Sequence, residues 1–202
     1  MFVDCLYVPV RRGRGARSMA VYAIVAYDLA GRKDVLGLWI EQTEGAKFWL
    51  KVFNDLKLRG CEDILIAVTD GLKGMAEALA VAYPRSTLQT CIVHLLRNSL
   101  SYAGYKERQG LANALKPIYQ AVSAEAAEAA LADFADGEWG QRFPTVAAAW
   151  RRAWEEVIPF FAFPPEVRRV IYTTNAIESL NARVRKIIAT SSREQLPARL
   201  DQ

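Results

Sequence analysis

The sequence has few of the residues that stabilise secreted or zinc-binding domains. Its 202 residues contain three cysteines, Cys5, Cys61 and Cys91, and one histidine, His94. Three scattered cysteines are too few for a disulfide framework, so a reducing cytosol is the simpler interpretation. The Cys91-x-x-His94 motif suggests zinc, but a closed zinc site needs four ligands, and one histidine with two distant further cysteines argues against it. A structural or supporting role beside a sheet is favoured for these two residues.

Long apolar runs and targeting signals are also lacking. No apolar stretch approaches the roughly 20 residues that span a bilayer, and the N-terminus lacks the charged, apolar and small-residue pattern of a signal peptide. We therefore expect no membrane partner. What is present is a 52% hydrophobic composition, which permits a buried core, and a net charge of +4. That charge is compatible with a nucleic-acid partner without demonstrating one.

Periodicity predicts a mixed order of strands and helices. Short apolar stretches predict three strands in an antiparallel meander and then two further strands, over 2–10, 19–27, 34–40, 63–69 and 87–90. Helices are predicted at 44–57, from about 74 to 83 and after His94, and Ala-rich helices follow, as in 121–134 and 147–157. This order predicts an α/β fold with an RNase H-like mixed sheet and a helical insertion. The expected parts are a first core part, the insertion, a last core helix and a divergent polar tail, at 1–98, 99–165, 166–189 and 190–202.

Three acids occupy informative places in this order. Asp4 lies among apolar residues of the first strand, where a carboxylate is costly unless paired or metal-bound; the alternative is an edge strand with Asp4 facing water. Asp70 follows a buried strand, where open α/β sheets place ligand-binding groups; the alternative is a helix N-cap. Glu178 follows Asn175 at capping-box spacing, so it is either a cap or a catalytic acid.

The helix that carries Glu178 has two predicted faces. The apolar stripe consists of Ile177, Leu180, Val184 and Ile187. Glu178, Asn181 and Arg185 form the other face, which is either a site or a solvated surface. In an RNase H-like sheet the first strand, the fourth strand and a late helix bring three carboxylates to one point. Because converging acids repel one another, two Mg²⁺ ions would resolve the repulsion and could support phosphoryl displacement.

Basic residues near these acids are candidate DNA contacts. Arg11, Arg12, Arg14 and Arg17 lie in a predicted hairpin loop that could contact phosphates, although a charged loop is usually only solvated. Lys73, Asn181 and Arg185 are further candidates because they lie close in sequence to Asp70 or Glu178. Tryptophans and phenylalanines of the helical segment are expected to pack rather than to stack on bases.

Several long strings resemble one known family. FVDCLYVPVR, EGAKFWLKVFNDLKLRG, ILIAVTDGLKG, LQTCIVHLLRNSL and YTTNAIESLN resemble Mutator-type transposases of bacterial insertion sequences, from Phe2 to about Ile188. The resemblance implies a DDE fold with Asp4, Asp70 and Glu178 as the metal-binding triad, and Cys91 and His94 as the Cys-x-x-His signature. It further implies DNA strand cleavage and transfer with two Mg²⁺ ions, Mn²⁺ serving as substitute. The implied partners are double-stranded DNA and further copies of the chain, in the bacterial cytoplasm at the nucleoid.

The sequence also departs from that family. We expect that the family's N-terminal helical region, which recognises element ends, is not part of this sequence, and that residues 190–202 do not resemble the family's continuation. We therefore expect a copy truncated at both ends and not autonomous for transposition. The alternative is a non-catalytic DNA-binding or regulatory remnant; an RNase H-like nuclease unrelated to transposition is a third hypothesis, against which the family strings weigh.

Overall fold

The computed structural model of the protein describes residues 1–12, 15–41, 43–172, 177 and 179–186, with the backbone alone for residues 10–12 and 15–17. The chain divides into two compact units. The first unit comprises Met1–Glu62, Lys73–Ala82 and Asn175–Gln202; the second comprises Asp63–Leu72 and Tyr83–Thr174. Both strands and helices occur in the described residues, and both antiparallel and parallel strand pairs are present. The chain is therefore a mixed α/β protein, as the sequence predicts.

The first unit contains the predicted antiparallel meander. Its strands are β1 (Phe2–Arg12), β2 (Gly15–Tyr27) and β3 (Lys33–Glu41), with β2 paired to both neighbours. The β1–β2 ladder runs from Phe2↔Val25 to Arg12↔Gly15. The predicted loop over 11–17 is therefore wrong in extent, because strand pairing continues through most of it and satisfies the backbone hydrogen-bonding groups there.

One helix supplies most of the aromatic core of this unit. It is α1 (Ala46–Leu58), close to the predicted 44–57, and its buried side chains recur at helical spacing: Phe48, Trp49, Val52, Phe53 and Leu56. The Tyr22 ring of β2 packs against Phe48 and Trp49, with ring centroids 4.8 and 5.1 Å apart. Burial of several aromatic rings gives the meander a large apolar partner on one face.

Gly74 allows the next helix to approach α1. That helix, α2 (Met75–Ala82), begins directly after Gly74, which has φ +75°. A Cβ at this position would lie 2.2 Å from the backbone nitrogen of Ala46. Only glycine fits, because the position combines left-handed backbone with direct backbone contact.

The second unit begins with a parallel strand pair. β4 (Ile66–Thr69) pairs with β5 (Thr87–Thr90) in the register Ile66↔Thr87 to Thr69↔Thr90. β5 agrees with the prediction, but β4 is shorter than the predicted 63–69. The reason lies at Asp63, whose carboxylate accepts from the Ile64 backbone N–H at 2.9 Å and from Arg85 at 2.7 Å. A carboxylate that bonds its neighbouring backbone in this way competes with strand pairing, and residues 63–65 lie outside β4.

Helices make up the rest of the second unit. They are α3 (Ile92–Ser101), α4 (Arg108–Tyr119), α5 (Ala124–Asp136), α6 (Glu138–Arg142), α7 (Pro144–Arg152), α8 (Trp154–Val157), α9 (Pro159–Ala162) and α10 (Pro165–Tyr172). The single helix predicted over 147–157 is two helices, because the backbone leaves helical geometry at Ala153 (φ −84°, ψ 0°). None of the helices within the described ranges is long and apolar enough to cross a membrane.

Aromatic side chains form the core of this helical segment. Trp150 is fully buried and its indole N–H donates to the Ser99 hydroxyl at 3.0 Å. Phe160 and Phe161 are also buried and meet edge to face at 5.5 Å. The prediction that these aromatics pack rather than stack on bases is confirmed for these three residues.

Candidate active site

Asp4 lies on the buried face of β1. Phe2, Leu6 and Val8 share that face and are 5% exposed or less, and Asp4 itself is 9% exposed. Its Oδ1 accepts from the backbone N–H of Cys5 at 2.8 Å, and its Oδ2 accepts from the side-chain Nδ2 of Asn181. The alternative of a water-facing Asp4 is therefore wrong. A buried carboxylate with a hydrogen bond to each oxygen is fixed in orientation.

Asn181 reaches Asp4 from a helical stretch. Residues 177 and 179–186 are helical; Ile177 and Asn181 are buried, and Val184 packs against the β1–β2 cluster of Leu6, Val8 and Val21. Positions 177, 181 and 184 follow the i, i+4, i+7 spacing of one helix face. The prediction that Asn181 lies on a different face from the apolar stripe is therefore wrong. Ile187, Asn175 and Glu178 lie outside the described residues.

A second polar group lies on the opposite face of β1. The Tyr22 hydroxyl donates to Glu44 Oε2 at 3.5 Å, and Tyr22 pairs with Cys5 across the β1–β2 ladder. Burial, and secondarily the charges of Glu44 and Asp4, raises the pKa of the Cys5 thiol to about 11. Burial and the same Glu44 raise the pKa of Tyr22 as well. Both groups therefore stay neutral at physiological pH.

Cys5 is expected to react slowly with alkylating reagents. A pKa raised from 9.0 to about 11 leaves about 100-fold less thiolate at pH 8, and thiolate is the reactive form. Glu44→Gln removes a negative neighbour, so it should lower that pKa and speed alkylation; Glu77→Gln, at an exposed position of α2, is the control. Iodoacetamide labelling followed by mass spectrometry of the Cys5 peptide measures both. Labelling of Cys5 at the rate of an ordinary free thiol would contradict the raised pKa of the Cys5 thiol.

Asp70 directly follows β4 in the second unit. The helix after it starts only at Met75, so Asp70 is not its N-cap and that alternative is wrong. Gly71 has φ +66°, which makes the sharp turn that glycine permits. The Asp70 side chain is 38% exposed. Asp70 thus presents a carboxylate at the carboxyl end of a parallel strand, the edge where such sheets bind ligands.

The Cys-x-x-His motif lies beside Asp70. Cys91 is the N-cap of α3, is buried, and donates its backbone N–H to the Thr69 carbonyl at 2.8 Å. That position puts His94 in the first turn of α3, with its Nδ1 3.9 Å from Asp70 Oδ2. The separation is too long for a hydrogen bond, and within the described part of the chain His94 Nδ1 is buried without one. The structure therefore brings His94 close to Asp70, and a supporting role for His94 stays a prediction.

A further acid at this edge escaped the sequence prediction. Glu156 of α8 accepts from the Thr90 hydroxyl at 2.8 Å, at the carboxyl end of β5. Thr90 and Glu156 are 66 positions apart. No local sequence pattern predicts such a contact, because the contact depends on how the helical segment folds back onto the strand pair.

The candidate DNA-contacting cations fall in three classes. Lys73 and Arg185 are exposed. Arg11, Arg12 and Arg17 lie in β1 and β2, where the backbone alone is described, and Arg14 lies outside the described residues. Their contact with DNA stays a prediction. Asn181 differs from these, because its side chain is buried and bonded to Asp4.

The donor atoms present suit a hard cation. In the first unit Asp4 supplies carboxylate oxygens, and Asn181 Oδ1 is a buried acceptor to which no described residue donates a hydrogen bond; in the second unit Asp70 supplies a carboxylate. Carboxylate and amide oxygens are the protein ligands of Mg²⁺. Among the described residues, which do not include Glu178, no group of three or more His, Cys, Asp or Glu side chains could hold a metal. The residues that are described fit Mg²⁺ in their chemistry.

Comparison with known proteins gives a consistent set of relatives. The sequence profile described as Transposase, Mutator family, matches residues 1–199. The chain is 54% identical over 197 residues, 98% of this chain and 49% of the relative, to the transposase for insertion sequence element ISRM3 of Rhizobium meliloti (strain 1021). It is 45% identical over 197 residues, 98% of this chain and 57% of the relative, to a probable transposase for an insertion sequence element of Corynebacterium diphtheriae.

A more distant relative shows the same relation. The transposase for insertion sequence element IST2 of Acidithiobacillus ferrooxidans is 33% identical over 168 residues, 83% of this chain and 56% of the relative. The chain spans about half the length of these curated relatives. The profile match continues to residue 199, so the prediction that the resemblance ends near Ile188 is wrong, and the match includes most of the segment 190–202.

Proposed function

Because the chain belongs to the Mutator family of transposases, we propose that it forms the catalytic core of a DDE transposase, which cleaves and transfers DNA strands at insertion-sequence ends. The observation that carries this proposal is the fixed orientation of the Asp4 carboxylate. It is buried among apolar residues and bonded at each oxygen by an N–H donor. A carboxylate is expensive to bury, and fixed orientation is what a metal ligand needs.

Three acids are assigned to the site. Asp4 is held in β1 and Asp70 follows β4, which are the first and fourth strands of the RNase H-like order proposed from the sequence. Glu178 is the third acid in this proposal. Its support is its sequence position, three residues before the Asn181 that contacts Asp4. The boundaries 1–98, 99–165 and 166–189 remain the proposed parts of the core.

Two Mg²⁺ ions are the proposed cofactor, with Mn²⁺ as substitute. Bound metal of this kind stabilises negative charge on the attacking and leaving oxygens of a phosphodiester displacement. Asp4, Asp70 and Glu178 would hold it. His94 Nδ1 lies 3.9 Å from Asp70 Oδ2, close enough to interact with that carboxylate electrostatically. The exposed Lys73 and Arg185 supply positive charge for the phosphate backbone.

The competing hypothesis is a non-catalytic DNA-binding or regulatory remnant. Such a protein does not need a buried carboxylate in β1 with a hydrogen bond to each oxygen. An apolar residue at that position would be less costly. The held Asp4 therefore favours catalysis. The proposed partners are double-stranded DNA and further copies of the chain assembled on it, at the bacterial nucleoid.

Strand nicking and transfer on a labelled DNA duplex with insertion-sequence ends tests the proposal. The chain is expected to produce nicked and joined strands with Mn²⁺ or Mg²⁺ and none with EDTA. A matched preparation of Asp70→Asn controls for contaminating nuclease. DNA binding without any metal-dependent product, from protein shown to be folded, would contradict catalysis and support the regulatory remnant.

A further inference from the structure

We propose that Asn181 is a positioning residue of the metal site, a role that rests on the function proposed above. Its amide nitrogen fixes the Asp4 carboxylate, and its carbonyl oxygen is an acceptor for a hydrated divalent cation. Both atoms belong to one buried side chain, 4% exposed, on the helical stretch 179–186. Asn181 thus links that stretch to β1 through the acid that the site requires.

The orientation of the amide follows from its partner. An ionised carboxylate only accepts hydrogen bonds, so the Asn181 NH₂ group must face Asp4 Oδ2. A flipped amide would place its carbonyl oxygen against the carboxylate oxygen, two acceptors in contact. The carbonyl oxygen of Asn181 is therefore directed away from the Asp4 oxygen that its NH₂ group bonds.

That carbonyl oxygen is the second observation. Asn181 Oδ1 is buried, and nothing in the described ranges donates a hydrogen bond to it. A buried acceptor without a donor is costly, so native proteins satisfy such atoms with water or an ion. Beside a metal-binding carboxylate, a hydrated cation would satisfy this acceptor. Amide oxygens are known ligands of hard cations.

A purely structural role is the competing explanation. In that case Asn181 only tethers the helical stretch to β1, and Ile177 and Val184 do most of the packing. Loss of the tether would then lower stability equally with and without metal. If Asn181 positions the metal ligand, the loss of stability differs with and without metal. This difference distinguishes a positioning role from a purely structural one.

Mn²⁺ binding measured by electron paramagnetic resonance is the first test. Asn181→Ala is expected to weaken Mn²⁺ affinity about 10- to 100-fold, the usual effect of losing a residue that orients a metal ligand. Asn54→Ala, at an exposed position of α1 in the same unit, should leave it unchanged, and Asp4→Asn should abolish it. Unchanged affinity in folded Asn181→Ala, with Asp4→Asn defective, would overturn the inference and leave the proposed function standing. No Mn²⁺ binding by the unsubstituted chain would overturn both.

Asn181→Asp keeps the test decisive if the alanine variant does not fold. The new carboxylate would face Asp4, so in EDTA the melting temperature should fall through like-charge repulsion. Saturating Mn²⁺ should recover it, giving a larger metal-induced rise than in the unsubstituted chain. A fall that Mn²⁺ does not recover would show a tether alone and overturn the inference.

Discussion

Asp70→Asn is expected to lower the rate of metal-dependent DNA nicking about 10³-fold. A metal supplies several kcal/mol of transition-state stabilisation, and each 1.36 kcal/mol is about tenfold in rate. Asp70 suits this test because its side chain is 38% exposed and does not cap α2. Its substitution should therefore change the unfolding free energy by no more than about 0.5 kcal/mol. Initial rates on a labelled duplex in Mn²⁺, beside urea unfolding, measure both quantities.

Glu178→Gln should show the same loss of nicking if it completes the triad. Asp133→Asn is the matched control, because this carboxylate is exposed on α5. Full activity of Asp70→Asn with retained stability would contradict a metal-binding role for Asp70. Loss of stability without loss of nicking activity would indicate that Asp70 has a structural role instead.

Trp150→Ala is expected to lower the free energy of unfolding by about 3–5 kcal/mol. The side chain is fully buried, and its indole N–H donates to the Ser99 hydroxyl, which in turn donates to the Leu95 carbonyl at 2.8 Å. The substitution leaves a cavity and removes the hydrogen bond that the Ser99 hydroxyl accepts from the indole. A loss this large is a substantial fraction of the stability of an ordinary domain.

Urea unfolding followed by circular dichroism measures this loss. Trp154→Ala is the comparison, since Trp154 is half-buried and meets Phe161 at 6.4 Å; its cost should be clearly smaller. Equal losses at the two positions, or a loss below about 1 kcal/mol at Trp150, would contradict the assignment of Trp150 to the core of the helical segment.

Local patterns predicted the elements that hold the acids. Apolar alternation identified β1 but left the burial of Asp4 open, and the apolar run before Asp70 identified β4. Local patterns also misjudged the start of β4, because the Asp63 carboxylate bonds Ile64 and Arg85. Hydrogen bonds made by side chains compete with strand pairing and leave little trace in hydrophobic periodicity.

Hydrophobic periodicity could not predict contacts between residues that are far apart in the sequence. Asn181 was placed on a polar face, yet 177 positions separate it from the Asp4 that it bonds. The spacing of Ile177, Asn181 and Val184 contained a usable signal, because the three share one helix face. Glu156 gave no such signal. Its contact with Thr90 depends on the folding of the helical segment, which sequence alone did not specify.

Fe²⁺-directed cleavage of the polypeptide tests most directly whether the three acids share one metal site. Fe²⁺ occupies oxygen-ligand sites of Mg²⁺ with adequate affinity, and with ascorbate and peroxide it generates radicals that cut the nearby backbone. The account predicts cuts next to Asp4, Asp70 and Glu178 together, all suppressed by excess Mg²⁺. Cuts near one of these residues alone, or cuts that Mg²⁺ does not suppress, would contradict it.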